Sequence, residues 1–496
     1  MEKDVVAART TQAAFRGAPV LGPPDRTVKK GCGTGRCRAW RTRGRTRYNG
    51  AVIDVLRLAN RGLALAAIAI VSAPCGRAHA GNEEGVLIGN EAAMSGGAVT
   101  AVIDDGTAVW FNPAGLAHIT RTQIDASGSA TQLRIAETPE LLSSVGGGSA
   151  DGGYYELNGI PSAVTGARQL EPGLVAAFGI FVPSLVGHTD RVRLEDSAGG
   201  MPTTFQLVQQ ENVQQYYGGI SIAYAASPDV RLGATLFGLY RQASTVSQFF
   251  GGRGGADGFV DGASALSSLQ SAGVALSVGL QWQVVQNLEL GIALRSPALQ
   301  LGVLRRSTFT EISASPGAGV LFEPGDDMGL VPRVDLVTPT QLRVGLVYRL
   351  DRGWIGIDAD ISHELASPEL GIDRRWLVNV RVGGRYEIDP GVSIGAGLFT
   401  DLSPIQRIQN YGETRADFLG GSLGFELHTP HRMAEGEQAP TIVFSQTFAL
   451  RYALGMGTIG GLRFDTTQPE GSEVSINATR TTVHELALYV GSGLDF

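Results

Sequence analysis

Residues 340–350 read Thr-Gln-Leu-Arg-Val-Gly-Leu-Val-Tyr-Arg-Leu. Taken alternately, they place Leu342, Val344, Leu346, Tyr348 and Leu350 on one face of a strand, and Gln341, Arg343, Gly345 and Arg349 on the other. An apolar outer face, a charged inner face and a length of about ten residues fit a tilted strand crossing a bilayer. The pattern recurs. Trp376, Val378, Val380, Val382, Tyr386 and Ile388 alternate with Asn379, Arg381, Arg385 and Glu387. Leu288, Leu290, Ile292 and Leu294 oppose Glu289 and Arg295, and Ile355, Ile357 and Ile361 oppose Asp358 and Asp360. One such strand alone fits the half-buried sheet of a soluble sandwich equally well. Repetition, with charge on the inner face, points to an all-β membrane protein.

The 496 residues include 68 glycines and only 7% aromatic residues, a composition of many short turns rather than of a helical bundle. Mean hydropathy is +0.06, too low for a helical membrane protein, and no apolar run reaches the roughly 18 residues of a spanning helix. Neither fact excludes a barrel, whose lumen-facing residues dilute the average.

Charge is uneven. Residues 1–80 carry 15 Lys and Arg against 4 Asp and Glu, a net of +11, which leaves 25 against 43, a net of −18, for the rest. Arg57 and Arg61 precede the apolar stretch Gly62 to Ala73, and Ala78-His79-Ala80 supplies the small residues of a cleavage site, so 52–80 reads as a secretory signal. Residues 1–51 are Arg-rich without periodicity and read as a non-structural extension or a misplaced translation start. All three cysteines, Cys32, Cys37 and Cys75, lie upstream of that cut, and Pro74 makes a poor context for a lipoprotein cysteine at Cys75. Stability after export therefore rests on closure of the fold, not on cross-links.

Residues 81–121 lack strand alternation and read as a compact, partly helical segment. From Thr122 onward strands alternate with breaks. Tight turns are expected at Glu171-Pro172-Gly173, Ser227-Pro228-Asp229, Gln286-Asn287, Asp351-Arg352-Gly353 and Asp389-Pro390-Gly391. Longer Gly-, Ser- and Pro-rich stretches near 184–203, 248–268, 298–339 and 401–414 read as external loops. Short turns at one rim and long loops at the other are the habit of outer-membrane barrels. The count is about fourteen antiparallel strands, with 428–440 as an unusually long periplasmic turn. The last strand carries Leu486, Leu488, Val490, Leu494 and Phe496 at alternate positions, and a terminal aromatic resembles the signal read by the bacterial barrel assembly machinery.

Trp110-Phe111-Asn112-Pro113-Ala114-Gly115-Leu116-Ala117 resembles the NPAGLA signature of the FadL-like outer-membrane transporters, the group that includes long-chain fatty acid and aromatic-hydrocarbon channels. Gly96-Gly97-Ala98 and Asp104-Asp105-Gly106-Thr107-Ala108 fit that family's N-terminal pattern, and similarity continues through Gly383-Gly384-Arg385-Tyr386 and Thr400-Asp401-Leu402-Ser403-Pro404. The resemblance implies a transmembrane β-barrel of fourteen strands (122–496) in the bacterial outer membrane, plugged by an N-terminal hatch (81–121). It also implies a monomer. Hydrophobic small molecules would bind at an external cleft, pass to a site beside the hatch, and leave sideways into outer-membrane lipids through a gap at a kinked third strand. Gly179 and Pro183 are the candidates for that kink, since both weaken a ladder. Asn112 and Pro113 would cap or bend the hatch.

Other chemistry reads weakly. Asp358, Asp360 and His363 have the residue types to activate water or hold a metal, but arginines on the same face make charge balance the better reading. His428-Thr429-Pro430-His431 is an isolated metal-like spacing, and Gly251 to Gly258 lacks the lysine of a phosphate loop. No cofactor motif is present. The net charge of −18 disfavours nucleic acid. In order, the functions are a passive channel for hydrophobic compounds, a general diffusion porin, and an outer-membrane hydrolase.

Overall fold

The computed structural model describes residues 88–496 apart from 197–202, 254–258, 316–318, 332–334, 368–371, 433–440 and 466–472. The expected extension, the leader and residues 81–87 of the hatch lie outside the described residues.

Three short helical pieces open the described chain: α1 (Asn90–Met94), α2 (Ala108–Phe111) and a 3-10 helix (Pro113–His118). Strands follow: β1 (Gln123–Ser144), β2 (Ser149–Glu171), β3 (Leu174–Asp196), β4 (Thr203–Ala225), β5 (Val230–Arg253) and β6 (Phe259–Val285). Next come β7 (Leu288–Arg295), β8 (Ala298–Ser315), β9 (Gly319–Val331), β10 (Asp335–Thr338), β11 (Gln341–Leu350) and β12 (Gly353–Ser362). After a two-stranded ribbon of β13 (Leu365–Ser367) and β14 (Ile372–Arg374) come β15 (Leu377–Asp389), β16 (Val392–Asp401), β17 (Thr414–Arg432), β18 (Thr441–Asp465) and β19 (Glu473–Asp495).

Each of β1 to β6 pairs antiparallel with the next, β6 pairs with β7, β7 with β11 and β11 with β12. The ladder then runs β12–β15–β16–β17–β18–β19 and back to β1. That closed walk contains fourteen strands, as the sequence leads one to expect. β8, β9 and β10 prolong β7 and β11 past breaks at Pro297 and Pro339 and raise the sheet to seventeen strands. All five expected tight turns fall between paired strands, with Gly173 and Gly391 at φ 79° and 92°, where a side chain would be strained.

The faces divide as the alternation requires. Leu346, Tyr348, Leu350, Ile355, Ile357, Val380 and Val382 are exposed on the outside, while Arg343, Asp358, Asp360 and Arg381 are buried inside. Exposed Trp376, just before β15, and exposed Tyr386 are ten residues apart. They are therefore about 33 Å apart along the strand, which at the usual tilt gives an apolar band about 25 Å high between aromatic girdles. No helix among the described residues is long and apolar enough to cross a membrane.

The external segments differ from expectation. Much of 184–203, 248–268 and 298–339 is strand, because β3 pairs with β4 out to Asp196↔Thr203, β5 with β6 out to Arg253↔Phe259, and β8 with β9. Cross-strand pairing overrides the loop-like Gly and Ser content. The second strand likewise begins at Ser149 rather than near 156. His428 to Arg432, expected in a turn, pairs with Thr441 to Ser445, and the connection itself is outside the described residues.

At the outer mouth β1 leaves β19 after Glu137↔Thr482 and bends through Glu140 (φ 55°). Its tip then adds in parallel to β18, Leu142–Ser144 beside Leu462–Phe464. Leu141 and Leu142 thereby join an apolar cluster with Leu194, Phe205, Phe249 and Phe464, in which Phe205 and Phe464 stack at 4.4 Å.

Because Val380 sits midway up the lipid-facing band, Val380→Arg is expected to destabilise the barrel by about 2–4 kcal/mol. Denaturant titration of protein folded in lipid vesicles checks this; an unchanged midpoint would place the residue away from hydrocarbon.

Candidate functional site

The Asn-Pro motif forms the joint between hatch and wall. Asn112 caps the 3-10 helix, its Oδ1 accepting from the Ala114 N–H at 3.2 Å, and Pro113 stands in the first turn, where no N–H is needed. Asn112 Nδ2 donates to the carbonyl of Thr100 in the hatch at 2.8 Å and to that of Leu280 on β6 at 3.0 Å. The side chain is fully buried, as are Ala114 and Leu116. A Cβ on wall Gly279 would lie 2.0 Å from Asn112 Oδ1, and one on hatch Gly115 the same distance from the Ile103 carbonyl. Glycine is thus needed in the wall where the motif docks and within the hatch where it folds back on itself.

Wall side chains hold the rest of the hatch. Trp110 lies among Phe181, Tyr217 and Phe237, with ring centroids 5.0–5.9 Å away. Arg295 covers it at 4.1 Å and donates to its carbonyl. Glu91 of α1 accepts from Trp354 Nε1 at 2.9 Å and Arg385 at 2.7 Å, and Arg385 also pairs with Glu426 at 2.9 Å. The acids weighed above as catalytic are engaged in the same way. Asp358 accepts from the Thr100 N–H at 2.8 Å, and Asp360 lies between Arg343 at 3.1 Å and Arg381 at 2.9 Å. His363 is exposed, its Nδ1 2.9 Å from the Glu364 carbonyl.

Two cavities flank the hatch. One, about 50 Å³, has Ile88, Ala92, Trp110, Phe111 and Phe399 as apolar lining, with Arg381 and Arg451 at its edge. It has room for a few waters, well below the roughly 300 Å³ of a small-molecule site. The other, about 370 Å³, is ionic, with Glu91, Asp104, Asp105, Asp125, Glu426 and Asp495 beside His118, Arg121 and Arg385.

The wall is incomplete between β2 and β3. β2 and β3 pair from Glu171↔Leu174 to Ala163↔Phe181 and no further, although both strands continue outward. Pro161 and Pro183 stand two residues beyond that last pair, and neither has an N–H to give. The β3–β4 register slips between Phe181 and Ser184, and the β1–β2 register slips on either side of the Gly128↔Pro161 and Ser129↔Ile160 pairs. Above the break, side chains replace the ladder: Glu156 accepts from the Gly187 N–H at 2.6 Å, and Tyr154 stacks on His188 at 4.3 Å. Gly179 lies within regular ladders, opposite Thr165 and Gly219. Sequence reading singled out Pro183 and missed Pro161, whose signal was a proline inside an otherwise alternating strand.

Together these features define a closed antiparallel barrel of the membrane type, filled by an N-terminal plug and open along part of one strand pair. No protein-family model matches the chain, and no curated protein matches it. Among solved structures it is similar to a FadL homologue of Pseudomonas aeruginosa, with a TM-score of 0.56 at 12% identity over 83% of this chain and 99% of that one. The monoaromatic hydrocarbon channel CymD gives 0.49 at 12% identity (84% and 99% covered), and the Pseudomonas putida toluene transporter TodX gives 0.48 at 13% (82% and 97%). The likeness to the first is one of fold.

Gly279→Ala is expected to displace the hatch while the barrel still closes, raising hydrogen exchange of amides 100–116 and leaving wall amides protected. Asn112→Ala removes three side-chain hydrogen bonds and is expected to loosen the hatch by about 1–3 kcal/mol, read by the same exchange; protection equal to wild type would show that Asn112 does not anchor it. Burial pushes the His118 imidazole down to about 4 from its ordinary 6.5. The folded state thus favours the neutral ring, and the stability this contributes is complete above pH 6.5 and lost as pH falls toward 4. Hatch amides should exchange faster at pH 4.5 than at 7.5, by a smaller margin in His118→Gln.

Proposed function

We propose that the protein is a bacterial outer-membrane channel for passive uptake of hydrophobic compounds, long-chain fatty acids or aromatic hydrocarbons, and that it works as a monomer without catalysis or cofactor. The observation that carries this reading is the contrast between the two ways past the hatch. Straight down lies a cavity lined by six carboxylates, in which an alkyl or aryl group gains nothing. Sideways, the unpaired stretch of β2 and β3 adjoins Tyr155, Leu157, Phe178 and Ile180, all exposed on the lipid face. An apolar molecule at the hatch thus moves downhill by leaving through the wall, at about 0.8 kcal/mol per methylene transferred to hydrocarbon.

In this reading Asn112, Pro113, Ala114, Gly115 and Leu116 lock the hatch, Pro183, with Pro161 opposite, makes the opening, and Gly179 lets β3 bend towards it. Residues 52–80 serve as the leader, and Phe496 addresses the chain to the barrel assembly machinery. A diffusion porin is the weaker reading because the hatch fills the lumen, and a hydrolase is weaker because Asp358 and Asp360 are committed to the Thr100 amide and to two arginines.

Vesicles reconstituted with the protein are expected to take up toluene or a fatty acid faster than empty vesicles while remaining closed to sugars. Pro161→Ala combined with Pro183→Ala, which gives both strands a donor, is expected to lower that uptake several-fold with the barrel intact. Sugar entry matching that of the hydrophobic compound, or uptake indifferent to the double substitution, would defeat the channel or its lateral exit respectively.

A further inference from the structure

Above the break, the lumen faces of β3 and β4 change character within two residues. Val192, Leu194, Phe205 and Leu207 belong to the apolar cluster at the mouth. Directly below them, the cross-strand partners Asp190 and Gln209 face the same interior, each 4% exposed. Tyr411, also 4% exposed, enters from the β16–β17 connection. It packs in the apolar cluster, its neighbour Gly412 lies against the Gln209 amide, and Asp190 is the charge that bears on its hydroxyl.

Three polar atoms here, Asp190 Oδ1, Gln209 Oε1 and the Tyr411 hydroxyl, have no hydrogen-bond partner among the described residues. Several lumen carboxylates are matched by arginine: Asp360 lies between Arg343 and Arg381, Glu289 on Arg349, and Glu485 between Arg134 and Arg451. Asp190 departs from that habit. The charge bearing on it is a second buried carboxylate, Glu211, which itself has His188 and Arg241 near it. A buried carboxylate without a counter-charge is costly, and its surroundings are those of a binding group rather than a structural one.

We propose that Asp190, Gln209 and Tyr411 form a head-group site for apolar molecules carrying a protonated amine. This rests on the uptake reading above and narrows its substrate class. Two carbonyl-type acceptors on adjacent strands, with the Tyr411 hydroxyl within range of the Asp190 charge, make a region of negative potential that suits an ammonium group with several N–H donors. A carboxylate is repelled there by Asp190 and Glu211, and a plain hydrocarbon leaves all three polar atoms unpaired. The apolar body lies among Phe205, Phe249 and Phe464, in the place taken by Leu141 and Leu142 of the β1–β2 tip, which moves aside as the ligand enters.

The test uses three probes with one aromatic skeleton, 2-phenylethylamine, 3-phenylpropionate and ethylbenzene, titrated against the full barrel in lipid nanodiscs. The amine is expected to bind roughly ten-fold or more tighter than the other two, as a charge-assisted hydrogen bond warrants. Asp190→Asn should remove that preference while leaving ethylbenzene binding within about two-fold. Should Asp190→Asn fail to fold, Tyr411→Phe, which deletes one hydroxyl outside the strands, is expected to lower amine binding alone. The propionate binding as well as the amine, or either substitution weakening all three probes equally, overturns the head-group site. Ethylbenzene flux into vesicles is measured in parallel. Flux without amine preference sinks this inference and leaves the channel standing, whereas amine preference without flux sinks the channel and leaves a binding site.

Discussion

In hydrocarbon a backbone N–H or C=O has no water to turn to, so every strand crossing the band must be paired on both edges. The first and last strands meet that demand in each other. β1 and β19 pair from Gln123↔Asp495 upward, and the Thr122 N–H bonds to the Phe496 carbonyl at 3.1 Å while the Phe496 N–H returns to Thr122 at 3.0 Å. Closure makes inside and outside distinct, and the alternation of each strand then acquires its meaning. The lapse in pairing between β2 and β3 falls at the outer edge of the band. Phe181, in the last β2–β3 pair, stands opposite Tyr217, next to the exposed pair Tyr216 and Tyr240 that marks the outer girdle. Just outward of it a carboxylate, Glu156, takes over from the ladder.

The interior is filled by fit rather than by grease alone. The hatch presents backbone to the wall, and the wall answers with glycine and with side-chain donors. Ser95 approaches Gly383 and Gly397 so closely that a Cβ on either would come within about 2 Å of its carbonyl. Gln281 and Thr235 donate to the carbonyls of Ile103 and Val109, and Ser422 to that of Met94. Contacts of this kind fix a segment in one orientation, since a shift of an ångström breaks several together. In the proposed channel, a hatch so held is a surface for the ligand to move along.

Much of the barrel could be read from the chain because lipid outside and charge inside impose a period of two that no tertiary contact can hide. Leu342 to Leu350 and Trp376 to Ile388 took the faces their alternation assigns. Strand ends were harder. Stretches such as 184–196 keep a period of two near the tip, with Val192 and Leu194 inward between Arg191, Arg193 and Glu195, but how far they extend is set by pairing with a distant partner, which no local pattern records. The hatch motif was recognisable as a resemblance, yet its partners, Leu280 and Gly279, are some 165 residues away, and a lumen-facing glycine looks in sequence like any other strand glycine. Pro161 was overlooked for a related reason. Pro161 lies in the middle of β2, and only with a second proline on the neighbouring strand does it become a break.

The same physics separates the path of a ligand from that of water and ions. Beneath the hatch the carboxylates face a polar cavity and repel or hydrate whatever arrives. At the break, the first atoms outside the wall are the side chains of Ile180 and Leu157. In the proposed channel, a molecule whose free energy falls on contact with such surfaces is drawn through the wall, and one that prefers water meets a plugged barrel. Selectivity for apolar compounds then needs no gate that recognises them, since the choice is made by where the two exits lead. The tie between Glu156 and the Gly187 amide spans the opening on its outer side. With the last paired residues, Ala163 and Phe181, on the periplasmic side, it bounds the window, so the window's width follows from how far β3 bends between these two fixed points.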